Sequence, residues 1–170
     1  MKILPIRIYG DEVLRKKSDN VENIDGNLVD FLETLLISMK HAKGLGLAAN
    51  QIGINKRIFA VDMSYIDVVK EPIVIINPEL VDFSGSFTEE EGCLSLPGLF
   101  QEITRPEKAT VSGLDRDGKE ITIEGKGLIA KVLLHEIDHL NGKLIIDYLS
   151  KSQLGLLKGK LKKIKSGRQV

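Results

Sequence analysis

Two histidines four residues apart, the first followed by a glutamate, form the most informative chemical pattern in this chain: His135-Glu136-Ile137-Asp138-His139. On a helix each residue turns ~100°, so His139 stands one turn beyond His135 and only about 40° round from it. Both imidazoles can then reach one metal ion from one face. Glu136, about 60° from His139, can address a water on that ion without being a ligand. This is the H-E-x-x-H arrangement, in which the histidine pair binds metal and the glutamate is the general base. A lone helical histidine is usually just a satisfied polar residue. Here the surrounding segment is apolar, and burying two imidazoles and two carboxylates without partners is costly. A metal gives the histidines a reason to be inside.

A hydrolytic metal site takes three protein ligands and keeps one position open for water. The candidate for the third ligand is Cys93, the single cysteine, in Glu90-Glu91-Gly92-Cys93-Leu94-Ser95-Leu96-Pro97. A buried, inert role is the commoner fate of such a thiol. Gly92 and Pro97 point to a sharply shaped backbone, however, and one Cys with two His suits zinc or ferrous iron. A third segment, Gly44-Leu45-Gly46-Leu47-Ala48-Ala49-Asn50-Gln51, reads by itself as a helix exit packed with small residues. Its spacing does not match a nucleotide-binding glycine loop, and no strand precedes it.

The elements that must position these residues follow from periodicity. Leu28, Phe31, Leu32, Leu35, Leu36 and Met39 recur at three- and four-residue spacing and predict a helix over 27–41, ended by Gly44 and Gly46. Strands are expected at 57–61 and 73–76, the second bounded by an Asn77-Pro78 turn, and within 79–88. Segments 107–114 and 119–124 flank Asp115-Arg116-Asp117-Gly118, a hairpin turn. Residues 127–140 form a helix apolar over most of its circumference, which places it centrally, with Asn141-Gly142 as its stop. A last helix is expected over 152–165. The layout is α+β: antiparallel sheets around a central buried helix that carries H-E-x-x-H, with a C-terminal helix.

The length of 170 residues fits one domain, 1–170. With 24 basic against 24 acidic residues, no global charge steers the molecule to nucleic acid or membrane. One cysteine allows no internal disulfide, which suits a reducing compartment. Pro5 and Arg7 interrupt any signal-peptide core, and no apolar run approaches the ~18–20 residues of a membrane span. A cytoplasmic location is therefore expected, with no DNA and no membrane partner. From Lys151 onward there are seven Lys/Arg and no acidic residue. Such a run is usually the solvated face of an amphipathic helix; the alternative is contact with ribosomal RNA.

Taken together, 44–51, 91–95 and 135–140 resemble, in chain order, three signature motifs of the peptide deformylases: G-x-G-x-A-A-x-Q, E-G-C-L-S and H-E-x-D-H-L. Each fixed position is present, and the resemblance covers nearly the whole chain. It implies a metal-dependent hydrolase that removes the formyl group from formyl-methionine at the N-terminus of new polypeptides, releasing formate. It implies metal ligands Cys93, His135 and His139, with water as the fourth, and Glu136 as general acid/base. The Gln51 amide and the Leu94 backbone N–H would hold the oxyanion, and Gly44, Leu45 and Gly46 would line the substrate backbone. Glu91 and Arg105 are expected to pair and brace the Cys93 loop. For the methionine side chain the candidates are Val132 and Leu128, one and two turns before His135, with Leu45; the bland alternative is that the first two are core residues. The implied metal is ferrous iron, with zinc, nickel or cobalt as substitutes, whereas ligand geometry alone favours zinc. Asn50, Lys131 and Leu134 depart from the residues common at their positions. The rival readings are a zinc-dependent peptidase, which shares H-E-x-x-H, and a structural metal site, for which no fourth ligand is evident beyond His41.

Overall fold

Ile58-Phe59-Ala60-Val61 is apolar and buried at every position, so the strand it forms needs cover on both faces. The computed structural model, which describes residues 2–65 and 71–167, provides a helix on each side. In chain order come α1 (Gly26–His41), β1 (Gly46–Ala48), β2 (Ile58–Val61), β3 (Ile73–Ser84), β4 (Phe87–Gly92), β5 (Phe100–Arg105), β6 (Lys108–Leu114), β7 (Glu120–Lys126), α2 (Leu128–Leu140) and α3 (Lys151–Lys165). The first sheet is antiparallel, in the order β1-β2-β3-β6-β7, and β4 and β5 form a separate hairpin. Side chains alternate across a strand. Phe59 and Val61 therefore pack with Val132, Leu133, Ile137 and Leu140 of α2, while Ile58 and Ala60 pack with Leu32, Leu35 and Met39 of α1. Leu133 is wholly buried, and its truncation to Ala should cost about 2–5 kcal/mol. The α+β layout with a central helix is as expected from the sequence.

Caps explain the helix ends. The Asp25 side chain accepts from the Leu28 N–H at 2.9 Å, so α1 begins at Gly26, one residue before the expected start. Asn141 is the C-cap of α2, and Gly142 follows with φ 72°, a conformation that glycine adopts without strain. The Ser150 side chain accepts from the Gln153 N–H at the start of α3. Leu161 and Ile164 of that helix pack with Leu96, Leu99 and Ile103 of the β4–β5 region, a third cluster that backs the Cys93 loop.

Two strand expectations need correction. Asn77-Pro78 does not end a strand: β3 runs on to Ser84, with register shifts between Ile76 and Glu79 and between Leu80 and Asp82. Asn77 takes a positive φ of 50° and uses its side chain as a substitute strand partner. Its Oδ1 accepts from the Val21 N–H at 2.8 Å, and its Nδ2 donates to the Val21 carbonyl at 2.9 Å. The residue pair is thus a bulge, a device that bends a strand without terminating it. The expected strand within 79–88 is instead split by Gly85 between the end of β3 and the start of β4.

Candidate active site

Helix α2 presents His135 and His139 on one face, as their spacing requires, and the loop after β4 brings Cys93 to them. Cys93 Sγ lies 3.2 Å from His139 Nε2, which lies 3.2 Å from His135 Nε2. The three ligand atoms lie within 4.8 Å of one another, and theirs is the one such cluster among the described residues. Metal–nitrogen bonds of about 2.0–2.1 Å and metal–sulfur bonds of about 2.3 Å would span these separations. The donor set itself argues for a cation, because two imidazole nitrogens and a thiol facing one another lack enough protons to satisfy every lone pair. Three protein ligands would leave the coordination sphere open.

The second layer orients the first. The His135 Nδ1 lies 3.0 Å from Glu91 Oε2, which leaves Nε2 for the cluster. Glu91 is in turn gripped by Arg105, Nε to Oε1 at 2.5 Å and Nη2 to Oε2 at 3.0 Å, and both side chains are almost fully buried. This is the expected brace of the Cys93 loop. It extends further than the sequence suggests. Arg105 Nη1 also donates to Asp138 Oδ2 at 2.9 Å, and the Tyr148 hydroxyl donates to the same oxygen at 2.7 Å. Tyr148 comes from a 3-10 turn, Ile145–Tyr148, that carries no sequence signal of a site.

Charge in this region favours a cation. Burial opposes a proton on His135, yet hydrogen bonds to Cys93 and Glu91 raise its pKa well above the ordinary value. Burial, with His135 beside it, holds His139 neutral. Burial likewise pushes the Glu136 carboxyl up to about 7, against the pull of His135. Glu136 Oε2 is buried and has no hydrogen-bond partner among the described residues, so the carboxyl is free to carry a proton.

Gly44, Leu45, Gly46, Gln51, Leu94, Leu128, Val132 and Glu136 all line one cavity of about 460 Å³, together with Cys93 and His135; His139 lies behind it, almost fully buried. Leu128 is 36% exposed and Val132 7%, so the former is a rim residue and the latter a wall. Gln51 sits in a 3-10 turn, Ala49–Ile52, that packs against α2. Its Oε1 accepts from the Ala48 N–H at 2.9 Å, which turns Nε2 toward Ser95 Oγ at 3.2 Å and Cys93 Sγ at 3.7 Å. The Leu94 N–H makes no hydrogen bond within the described residues. Gly46 is required by proximity: a methyl group there would stand 2.5 Å from Glu136 Oε1 and 2.8 Å from Val132. Asn50, one of the departures from the common residues, donates from Nδ2 to the His139 carbonyl at 2.6 Å and so ties this turn to α2.

Comparison with known proteins identifies the family. A family model described as polypeptide deformylase matches residues 3–154. A peptide deformylase of Thermodesulfovibrio yellowstonii is 47% identical over 162 residues, covering 95% of this chain and 98% of that protein. The crystal structure of a peptide deformylase from Legionella pneumophila matches with a TM-score of 0.90 at 43% identity, covering 99% of this chain and 100% of the other. That of the enzyme from Thermus thermophilus matches with a TM-score of 0.88 at 38% identity, covering 98% and 99%. The chain belongs to the polypeptide deformylase family.

Proposed function

We propose that this chain hydrolyses the N-formyl group of formyl-methionine at the start of new polypeptides, with Cys93, His135 and His139 holding one divalent metal. The observation that carries the reading is the convergence of a thiol and two imidazoles at the cavity that Cys93, His135 and Glu136 line, beside a buried carboxylate with one oxygen unpartnered among the described residues. A metal held by these three residues would supply a Lewis acid for the formyl oxygen and lower the pKa of a water to about 7. Glu136 takes the proton of the attacking water and returns it to the departing amine; a carboxyl poised near neutrality serves both steps. Gln51 Nε2 and the Leu94 N–H donate to the formyl oxygen as it gains charge. One such donor is worth about 2.7–4 kcal/mol in comparable sites. Gly44, Leu45 and Gly46 lie along the substrate backbone, and Leu45, Leu128 and Val132 take the methionine side chain. The products are formate and a peptide beginning with free methionine.

The resident metal is assigned as ferrous iron, with zinc, nickel or cobalt able to replace it. Protein prepared without oxygen should contain iron and lose activity in air; an iron-free preparation indifferent to air would overturn the assignment. The whole chain, 1–170, is taken as one catalytic domain acting in the cytoplasm. No helix of the described residues is long and apolar enough to cross a membrane. The basic face of α3 is offered as a contact for ribosomal RNA near the emerging substrate.

The direct test is release of formate from formyl-Met-Ala-Ser by the metal-loaded chain. The rival peptidase reading predicts cleavage of an internal peptide bond instead. Glu136→Ala should lower kcat by at least about 10²–10⁴ while metal content stays the same. Loss of the metal in that variant would favour a structural site.

A further inference from the structure

Strand β4 and helix α2 meet through two matched rungs, of which only one belongs to the metal centre. Side chains two apart on a strand share a face and lie about 6.8 Å apart, and residues four apart on a helix rise about 6 Å. Glu89 and Glu91 are such a pair on β4, and Lys131 and His135 such a pair on α2. Glu91 bonds His135, and Glu89 ion-pairs with the Lys131 ammonium, which also donates to the Glu90 carbonyl at 3.4 Å. The second rung stands where the cavity opens. Lys131 lines that cavity between Leu128 and Val132, its side chain only 13% exposed, while that of Glu89 is 54% exposed. A lysine can lay its methylene stem along an apolar surface while its charged head is held elsewhere. Here the head is held by β4.

We propose that Glu89 determines side-chain specificity: it clamps the Lys131 ammonium at the rim, so that the cavity wall presents only the Lys131 stem and accepts an uncharged side chain. This inference rests on the deformylase reading. Without the clamp, the ammonium is free to turn into the cavity. There it would desolvate beside an apolar substrate side chain, which is unfavourable, or pair with an acidic one. Glu89 touches no reacting atom; it acts through Lys131.

The test compares formyl-Met-Ala-Ser with formyl-Glu-Ala-Ser on the metal-loaded full chain. For Glu89→Ala, kcat/KM for the methionine substrate should fall, chiefly through KM, while that for the acidic substrate rises. The Met-to-Glu ratio should drop by roughly two- to fivefold, the scale of one partly exposed ion pair. Adding Lys131→Met to Glu89→Ala should abolish the gain on the acidic substrate, because the ammonium that recognises it is gone. A merely structural role for Glu89 would lower both substrates together, leave the ratio where it was, and overturn the proposal. So would a gain on the acidic substrate that survives Lys131→Met. Should the unaltered chain deformylate neither peptide, the deformylase reading itself fails, which is a distinct result.

Discussion

At the scale of single residues, the site depends on groups whose positions are fixed by neighbours too close to move. Gly46 is the sharpest case, because the space that a methyl group would need is filled by the Glu136 carboxylate. Gly46→Ala should displace Glu136 without touching a metal ligand. Since a misplacement of ~1 Å costs about 10²-fold in rate, kcat should fall by about that factor, with metal content unchanged on elemental analysis. The candidate ligand triad was legible in the sequence because helical spacing puts His135 and His139 on one face and because only one cysteine exists to join them. The orientation of Gln51 was not legible. It depends on a backbone N–H, that of Ala48, whose direction follows from a 3-10 turn rather than from any side-chain pattern.

At the scale of elements, β4 shows why part of the fold was hidden. Phe87-Thr88-Glu89-Glu90-Glu91-Gly92 lacks the apolar alternation of a half-buried strand. It is a strand because its carboxylates find cations: Glu91 has Arg105 on the neighbouring strand, and Glu89 has Lys131 on α2. The opposite face is joined by Thr88 and Thr104, whose hydroxyls are 2.8 Å apart. Asn77-Pro78 misled in the other direction, since a residue pair that favours turns is held in a strand by bonds to Val21, and by Arg57 donating to the Pro78 carbonyl. The Arg105 brace yields a stability prediction. Removing one member of a buried ion pair leaves the other charge uncompensated, at a cost of about 3–5 kcal/mol. Arg105→Ala should therefore lower the unfolding free energy of the metal-free protein by that amount in urea titrations. A change below about 1 kcal/mol would mean that the brace contributes little to stability.

For the molecule as a whole, the three largest apolar clusters surround one sheet and one hairpin, and each reaches the candidate centre: Val132 from the first, Leu94 from the second and Cys93 from the third. The expected last helix is present, and Leu161 and Ile164 anchor it while Lys158, Lys162 and Lys163 face solvent. Arg168, counted in the basic run, lies outside the described residues. Reversing Lys158, Lys162 and Lys163 to Glu leaves the buried leucine and isoleucine in place, so the fold should persist. If the helix meets ribosomal RNA, the variant should bind ribosomes more weakly and with a shallower dependence on salt. Unchanged binding at every salt concentration would identify the run as a solvated face.

The metal K-edge X-ray absorption spectrum of the zinc-loaded chain tests the centre most directly. One sulfur at about 2.3 Å and two imidazole nitrogens at about 2.0–2.1 Å are predicted, with the sulfur contribution lost in Cys93→Ser. A spectrum of the unaltered chain with nitrogen and oxygen neighbours only would contradict the account.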